Sequence, residues 1–165
     1  MPLTLAEARA RSADVDQVSY VVDLDLTDRV WFHSSVTVRF RSLCGSTFLE
    51  LAGAHEVAVT LDGAAIETPV YDSARLRLSG LAPEELHEVS VTALLRYVSD
   101  GEGMHTFTDP VDQERYVGAY LGVDLTQRVF ACFDQPDVKA TVSLTVHGEP
   151  GLDRAGQRAR ARRRG

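Results

Sequence analysis

The chain has 165 residues, 44% of them hydrophobic, which suits one soluble domain with a core of its own. No stretch approaches the roughly 18–20 apolar residues that span a bilayer, and no basic-then-apolar leader opens the sequence, so neither a membrane span nor a secretory signal is expected. The net charge is −7, yet six arginines crowd the stretch from Gly148 onward; the rest holds 11 basic and 22 acidic residues and repels phosphate backbones.

The opening reads as a helix. Thr4 stands three residues before Glu7 in capping-box register, and Leu5 to Arg11 are helix-tolerant. Its apolar face is thin, which places it on the surface of something larger. From residue 18 the period becomes two. Tyr20, Val22, Leu24 and Leu26 point to a core, and Asp23 and Asp25 point to water. A second alternating strand sets Val36, Val38 and Phe40 inward and Thr37, Arg39 and Arg41 outward. Antiparallel pairing would bring Asp23 or Asp25 across from Arg39 or Arg41.

Short strands continue through Phe48–Leu51, Val57–Leu61, Arg75–Leu78 and Val89–Tyr97, and resume at Val142–Val146. Asp62-Gly63 is a two-residue hairpin signal, and Ser99–Gly103 is a loop whose two glycines are free to take positive φ. Asp109-Pro110 adds a further turn. Many short strands at close spacing imply an all-β layered domain.

Candidate chemistry is sparse. His55-Glu56 and His87-Glu88 begin like a zinc motif, but Val59 and Val91 occupy the positions of the second imidazole. No metal site is expected. Cys132 lies in the apolar run Val129–Phe133 with no histidine near in sequence, which favours a packed thiol over a nucleophile. Gly101-Glu102-Gly103 lacks the Gly-Lys-Ser/Thr of a phosphate loop. The arginine-rich end has neither aromatic residues nor an apolar helical face, so a nonspecific disordered extension is favoured over a nucleic-acid or membrane site. Cys44 and Cys132 are far apart, which fits a reducing cytoplasm while leaving room for one bridge.

The distinctive segment is Gln127 to Thr141: an apolar run, a turn stiffened by Pro136 between Asp134 and Asp137, and a strand after Lys139. Asp124 is placed to cap a helical turn just before it. This segment resembles the N-terminal-domain signature of the aminopeptidase N family, an arginine before an aromatic-rich run ending in Phe-Asp/Glu-x-Pro and a Lys-Ala pair. The matching residues are Arg128, Phe130, Cys132, Phe133, Asp134, Pro136, Lys139 and Ala140. Leu3-Thr4, Tyr20–Leu26, Val36–Phe40 and Gly101–His105 extend the resemblance, toward the actinobacterial branch, over residues 3–147.

The resemblance implies a saddle-like antiparallel β-sandwich with a short N-terminal helix over residues 1–147, followed by an Arg-rich tail, 148–165, foreign to the family. Such a domain packs on a thermolysin-like catalytic domain and walls one side of its active site. The zinc ligands, substrate loop and catalytic tyrosine belong to that partner domain, so this chain supplies no catalytic or metal-binding residue and is expected to be inert alone. Zinc and peptide substrates belong to the full-length family. The β-domain itself ordinarily adds a carboxylate that binds the peptide's free α-amine. That element falls here on Tyr120 and Gly122, where tyrosine replaces an amide and glycine a carboxylate, so the amine anchor is expected to be missing; Asp124, two residues away, would substitute only after a local shift. From Gly151 a one-nucleotide shift in GC-rich codons would restore the family's Trp-x-Val strand, so the tail is expected to be a frameshifted reading. The competing reading is a non-enzymatic β-sandwich that binds a partner.

Overall fold

A computed structural model describes residues 3–149. The sequence order is α1 (Leu5–Asp14), β1 (Val15–Leu26), β2 (Trp31–Ser42), β3 (Ser46–Glu50), β4 (His55–Leu61), β5 (Ala64–Ala65), β6 (Val70–Tyr71), β7 (Arg75–Ser79), β8 (Leu86–Arg96), β9 (Gly103–Thr108), β10 (Arg115–Tyr120), a 3-10 turn (Thr126–Arg128) and β11 (Ala140–Gly148). The strands form a six-stranded sheet ordered β11-β1-β2-β8-β4-β5, a three-stranded sheet ordered β3-β7-β6, and the β9–β10 hairpin. The fold is all-β with one short helix, as expected. Every strand pairing is antiparallel except β1 with β11, which run parallel. The arginine-rich segment expected to be a disordered, frameshifted tail lies, from residue 150, outside the described residues.

Alternation places the core. Tyr20, Val22 and Leu24 of β1, Val36, Val38 and Phe40 of β2, and Val89, Val91 and Leu95 of β8 turn to one buried side. Leu49, Leu76 and Leu78 of the smaller sheet join the same apolar cluster. Asp62 and Gly63 both take positive φ, +51° and +81°, which is the two-residue turn that the Asp-Gly pair specifies.

The outer-face charges pair differently from expectation. Asp28 accepts hydrogen bonds from the Val30 and Trp31 amides (2.7 and 2.8 Å), which fixes a four-residue connection and starts β2 at Trp31. Asp23 therefore faces Ser35 and Asp25 faces His33. Arg41 bonds Asp16, beyond an irregularity where Gln17 has φ +54°, and Arg39 bonds Glu88 of β8 at 2.6 Å.

The helix keeps its capping box: the Glu7 amide donates to Thr4 Oγ1 (3.2 Å), and the Thr4 amide donates to the Glu7 carboxylate (2.9 Å). It docks through charge rather than through an apolar face. Arg11 is its buried residue, and Glu7 bonds Arg75 of β7 at 2.5 Å.

Candidate functional site

The signature segment links the β9–β10 hairpin to β11 and is pinned at each step. Arg128, at the end of the 3-10 turn, reaches Asp100 and Glu102 at 3.2 Å each, tying the 99–103 loop to the segment. Gly103 (φ +69°) packs so closely that a Cβ there would meet Arg128 Cβ at 2.8 Å. Asp124 does not cap this turn. The Gln127 amide instead donates to the Asp134 carboxylate at 3.2 Å, and Asp124 itself sits exposed with φ +61°. The cap comes from seven residues downstream because Gln127 and Cys132 are both held to one segment, the Gln127 carbonyl by the Ala52 amide (2.7 Å) and Cys132 by Glu50.

Val129 to Phe133 are all buried. Phe130 lies 6.0 Å from the Tyr20 ring, and Phe133 meets Phe40 edge-on at 5.3 Å. Cys132 exchanges both backbone hydrogen bonds with Glu50 (2.8 and 3.0 Å), and burial pushes its thiol far up from its ordinary pKa. The Phe133 amide donates to Tyr20 Oη at 3.0 Å, and the Asp134 amide donates to Glu50 Oε2 at 3.1 Å. Gln135 accepts from Arg11 Nε (2.9 Å) and donates to the Ala8 carbonyl (2.8 Å), so the helix clasps the turn. Pro136, Lys139 and Ala140 are exposed, and Ala140 opens β11 opposite Val18.

Beside this segment lies a cleft of about 270 Å³. Its wall is mainly apolar, with Tyr20, Phe130 and Val142 on one part and Leu121, Gly122 and Val123 on another. Among the described residues Asp134 is the one carboxylate lining it, and burial raises its pKa above the ordinary carboxylate value. Gly122 thus stands at the cleft with the Tyr120 side chain packed closely against it: a Cβ on Gly122 would lie 3.1 Å from the Tyr120 ring. Tyr120 itself is 60% exposed at the end of β10. Asp124 is not among the lining residues.

That Asp134 faces this cleft was not legible in the sequence. The only hint is the run Tyr120 to Val123 ahead of the turn, which carries no carboxylate of its own. No group of three or more His, Cys, Asp or Glu able to hold a metal occurs among the described residues. His87 is engaged with Asp62 (2.7 Å) and the Ala82 carbonyl (3.0 Å), and His55 packs edge-on to Trp31 at 5.1 Å. Among the described residues no helix is long and apolar enough to cross a membrane.

In an alignment of 155 positions that covers 90% of its length, the chain is 39% identical to aminopeptidase N of Streptomyces lividans. The chain matches as an N-terminal domain fragment of the aminopeptidase N family would. It spans 18% of that relative's length. No family model matches it. Among solved structures, aminopeptidase A of Legionella pneumophila, in complex with aspartic acid, shares the fold with a TM-score of 0.63 at 14% identity, over 81% of this chain and 16% of that one. An M1 zinc metallopeptidase of Deinococcus radiodurans does so with a TM-score of 0.60 at 17% identity, over 81% of this chain and 32% of that one.

Proposed function

We propose that this chain is the N-terminal β-domain of a zinc aminopeptidase, that it walls the active site of a separate catalytic domain, and that it hydrolyses nothing alone. The observation that carries the reading is the 39% identity over 90% of the chain, set against its 18% share of the relative. A second feature supports it. Leu121, Val123 and Val142, which line the cleft, are 46–69% exposed, an apolar surface suited to burial against another domain.

In such an assembly the zinc belongs to the catalytic domain, because the described residues offer no three-ligand set to hold it. When bound there, zinc activates water and polarises the scissile carbonyl. This domain's part is to shape and dry one wall of the substrate channel. Its usual carboxylate for the peptide's α-ammonium is replaced by Gly122, and the carboxylate left at the cleft, Asp134, is already engaged by the Gln127 amide. Selection for a free N-terminus is therefore weak in the assembled enzyme. The protein resides in a reducing cytoplasm, a reading that the two free cysteines support.

The test is an aminoacyl-naphthylamide assay on the chain with added zinc, alone and mixed with the separately produced catalytic domain of the Streptomyces relative. No turnover alone and chelator-sensitive turnover with the catalytic domain are expected. Chelator-sensitive hydrolysis by the chain alone overturns the claim of inertness, and failure to associate with the catalytic domain overturns the claim that it forms a wall.

A further inference from the structure

We infer that His87 is a protonation-sensitive clasp: its imidazolium holds the 82–85 turn in a strained form, and loss of its proton lets that turn relax. The ring lies on the core side of β8, 5% exposed, between two acceptors. Nδ1 stands 2.7 Å from Asp62 Oδ2 in the β4–β5 turn, and Nε2 stands 3.0 Å from the Ala82 carbonyl in the connection from β7 to β8. A carbonyl oxygen only accepts, and so does a carboxylate. A neutral imidazole has one N–H and would turn a lone pair on one of the two. Both contacts need a donor, so the ring is the cation.

The charged groups that face the ring among the described residues are acidic: Asp62 from the β4–β5 turn and Glu85 from the 80–85 connection. β2 meets it with the Phe40 ring, centroids 6.0 Å apart. Arg39, Arg41 and Glu88 alternate to the opposite face, where Arg39 pairs with Glu88 and Arg41 with Asp16. Burial disfavours the ring's charge, yet the bonds to Asp62 and the Ala82 carbonyl outweigh it and raise the His87 pKa above its ordinary 6.5.

The turn in its grip is strained. Pro83 follows Ala82, and Glu84 takes φ +67°, the left-handed conformation that this third position ordinarily gives to glycine. The turn's own bond, from the Glu85 amide to the Ala82 carbonyl, is long at 3.4 Å, and His87 makes the shorter contact to that oxygen. In this form the Glu84 amide donates to the Ser42 carbonyl at 2.6 Å. With the ring neutral, the long bond is what remains to the Ala82 carbonyl among the described residues. The backbone can then rotate to bring Glu84 to negative φ, which carries its amide away from Ser42. A group with a raised folded pKa stabilises fully below its unfolded value and loses that contribution as pH rises through the folded one. The turn is therefore closed below about pH 6.5 and loosens as pH rises through the higher folded value.

The experiment is an NMR titration of the 165-residue chain, following the His87 Cε1–H, the His87 ring nitrogens and the protection factor of the Glu84 amide. Both ring nitrogens should carry protons below pH 6.5, and Glu84 protection should be lost with the His87 midpoint. Asp62→Asn, which removes the facing carboxylate, should move both midpoints down together. Glu84→Gly, which suits a left-handed turn, should keep that amide protected while His87 still titrates. A ring with a single N–H below pH 6.5 overturns the proposal. So does Glu84 protection that ignores the His87 midpoint, or a Glu84→Gly chain that loosens with His87 as the parent does. Where Asp62→Asn fails to fold, the parent titration and Glu84→Gly decide. None of these readouts involves peptide hydrolysis, so their failure leaves the aminopeptidase reading untouched, and the reverse holds too.

Discussion

Arg11 and Glu50 form a buried ion pair in which one guanidinium nitrogen lies 2.7 Å from both carboxylate oxygens, with side-chain exposures of 2% and 7%. The same carboxylate receives the Asp134 amide, and Arg11 also bonds Gln135, so the pair joins helix, small sheet and signature turn. The Phe48 ring lies 4.7 Å from the Arg11 guanidinium and 4.5 Å from that of Arg75. Removing one partner strands the other charge without solvent, which costs about 3–5 kcal/mol. Glu50→Ala should lose that much in urea unfolding at neutral pH, and adding Arg11→Met should recover part of it. A double variant that loses the sum of the two single losses would show that the pair is not coupled.

Glu7 sets a pH dependence with a definite sign. Its bonds to Arg75 and then to Thr4 hold its carboxyl near pKa 2, against an ordinary 4.5. A carboxyl with a depressed folded pKa stabilises fully above its unfolded value and loses that contribution as pH falls through the folded one. The urea midpoint should therefore drop between about pH 4.5 and 2, and Glu7→Gln should flatten that decline. Parallel profiles for the two proteins would remove Glu7 from the account.

What was legible in the sequence is what local pattern controls. The capping box at Thr4, the inward set of β1 and β2 and the Asp62-Gly63 turn each follow from residues within one turn or one strand of each other. The misplaced charge pairs arose where a single side chain sets long-range register: Asp28 anchors the β1–β2 connection, and Gln17 absorbs an extra residue. The β9–β10 hairpin escaped notice because its strands are only six residues each and half solvated, and its aromatic pair, Phe107 stacked on Tyr116 at 5.1 Å, faces outward. The parallel partner of β11 lies some 120 residues upstream in sequence, at residues 18–26, and no local pattern specifies it. At the candidate site, burial of Val129–Phe133 was readable from the apolar run. The shared cleft of Gly122 and Asp134 depends on a chain reversal and was not.

Two glycines of the 99–103 loop separate backbone strain from crowding. Gly101 (φ +82°) has no atom within 4 Å of a would-be Cβ, whereas Gly103 (φ +69°) has Arg128 Cβ at 2.8 Å. Gly101→Ala should cost only the left-handed penalty, about 1–2 kcal/mol. Gly103→Ala should add overpacking, for about 2–4 kcal/mol in all, and loosen the Arg128 contacts to Asp100 and Glu102. Equal midpoint shifts for the two variants in urea would mean that Arg128 gives way freely.

The thiols should divide by environment. Cys132 is buried, and loss of hydration raises its pKa far above 9.0, with the Asp134 and Glu50 carboxylates adding to the effect. Cys44 is half-buried, its Sγ donating to the Ser46 carbonyl at 2.9 Å. Because thiolate and access together set the rate of attack on a disulfide reagent, native protein should release one equivalent of thionitrobenzoate from Cys44 and the second only in denaturant. Cys44→Ser should leave the native protein silent. Rapid labelling of Cys132 at neutral pH would mean that the Glu50–Cys132 bridge opens without global unfolding, and would place the signature segment among the least stable parts of the domain.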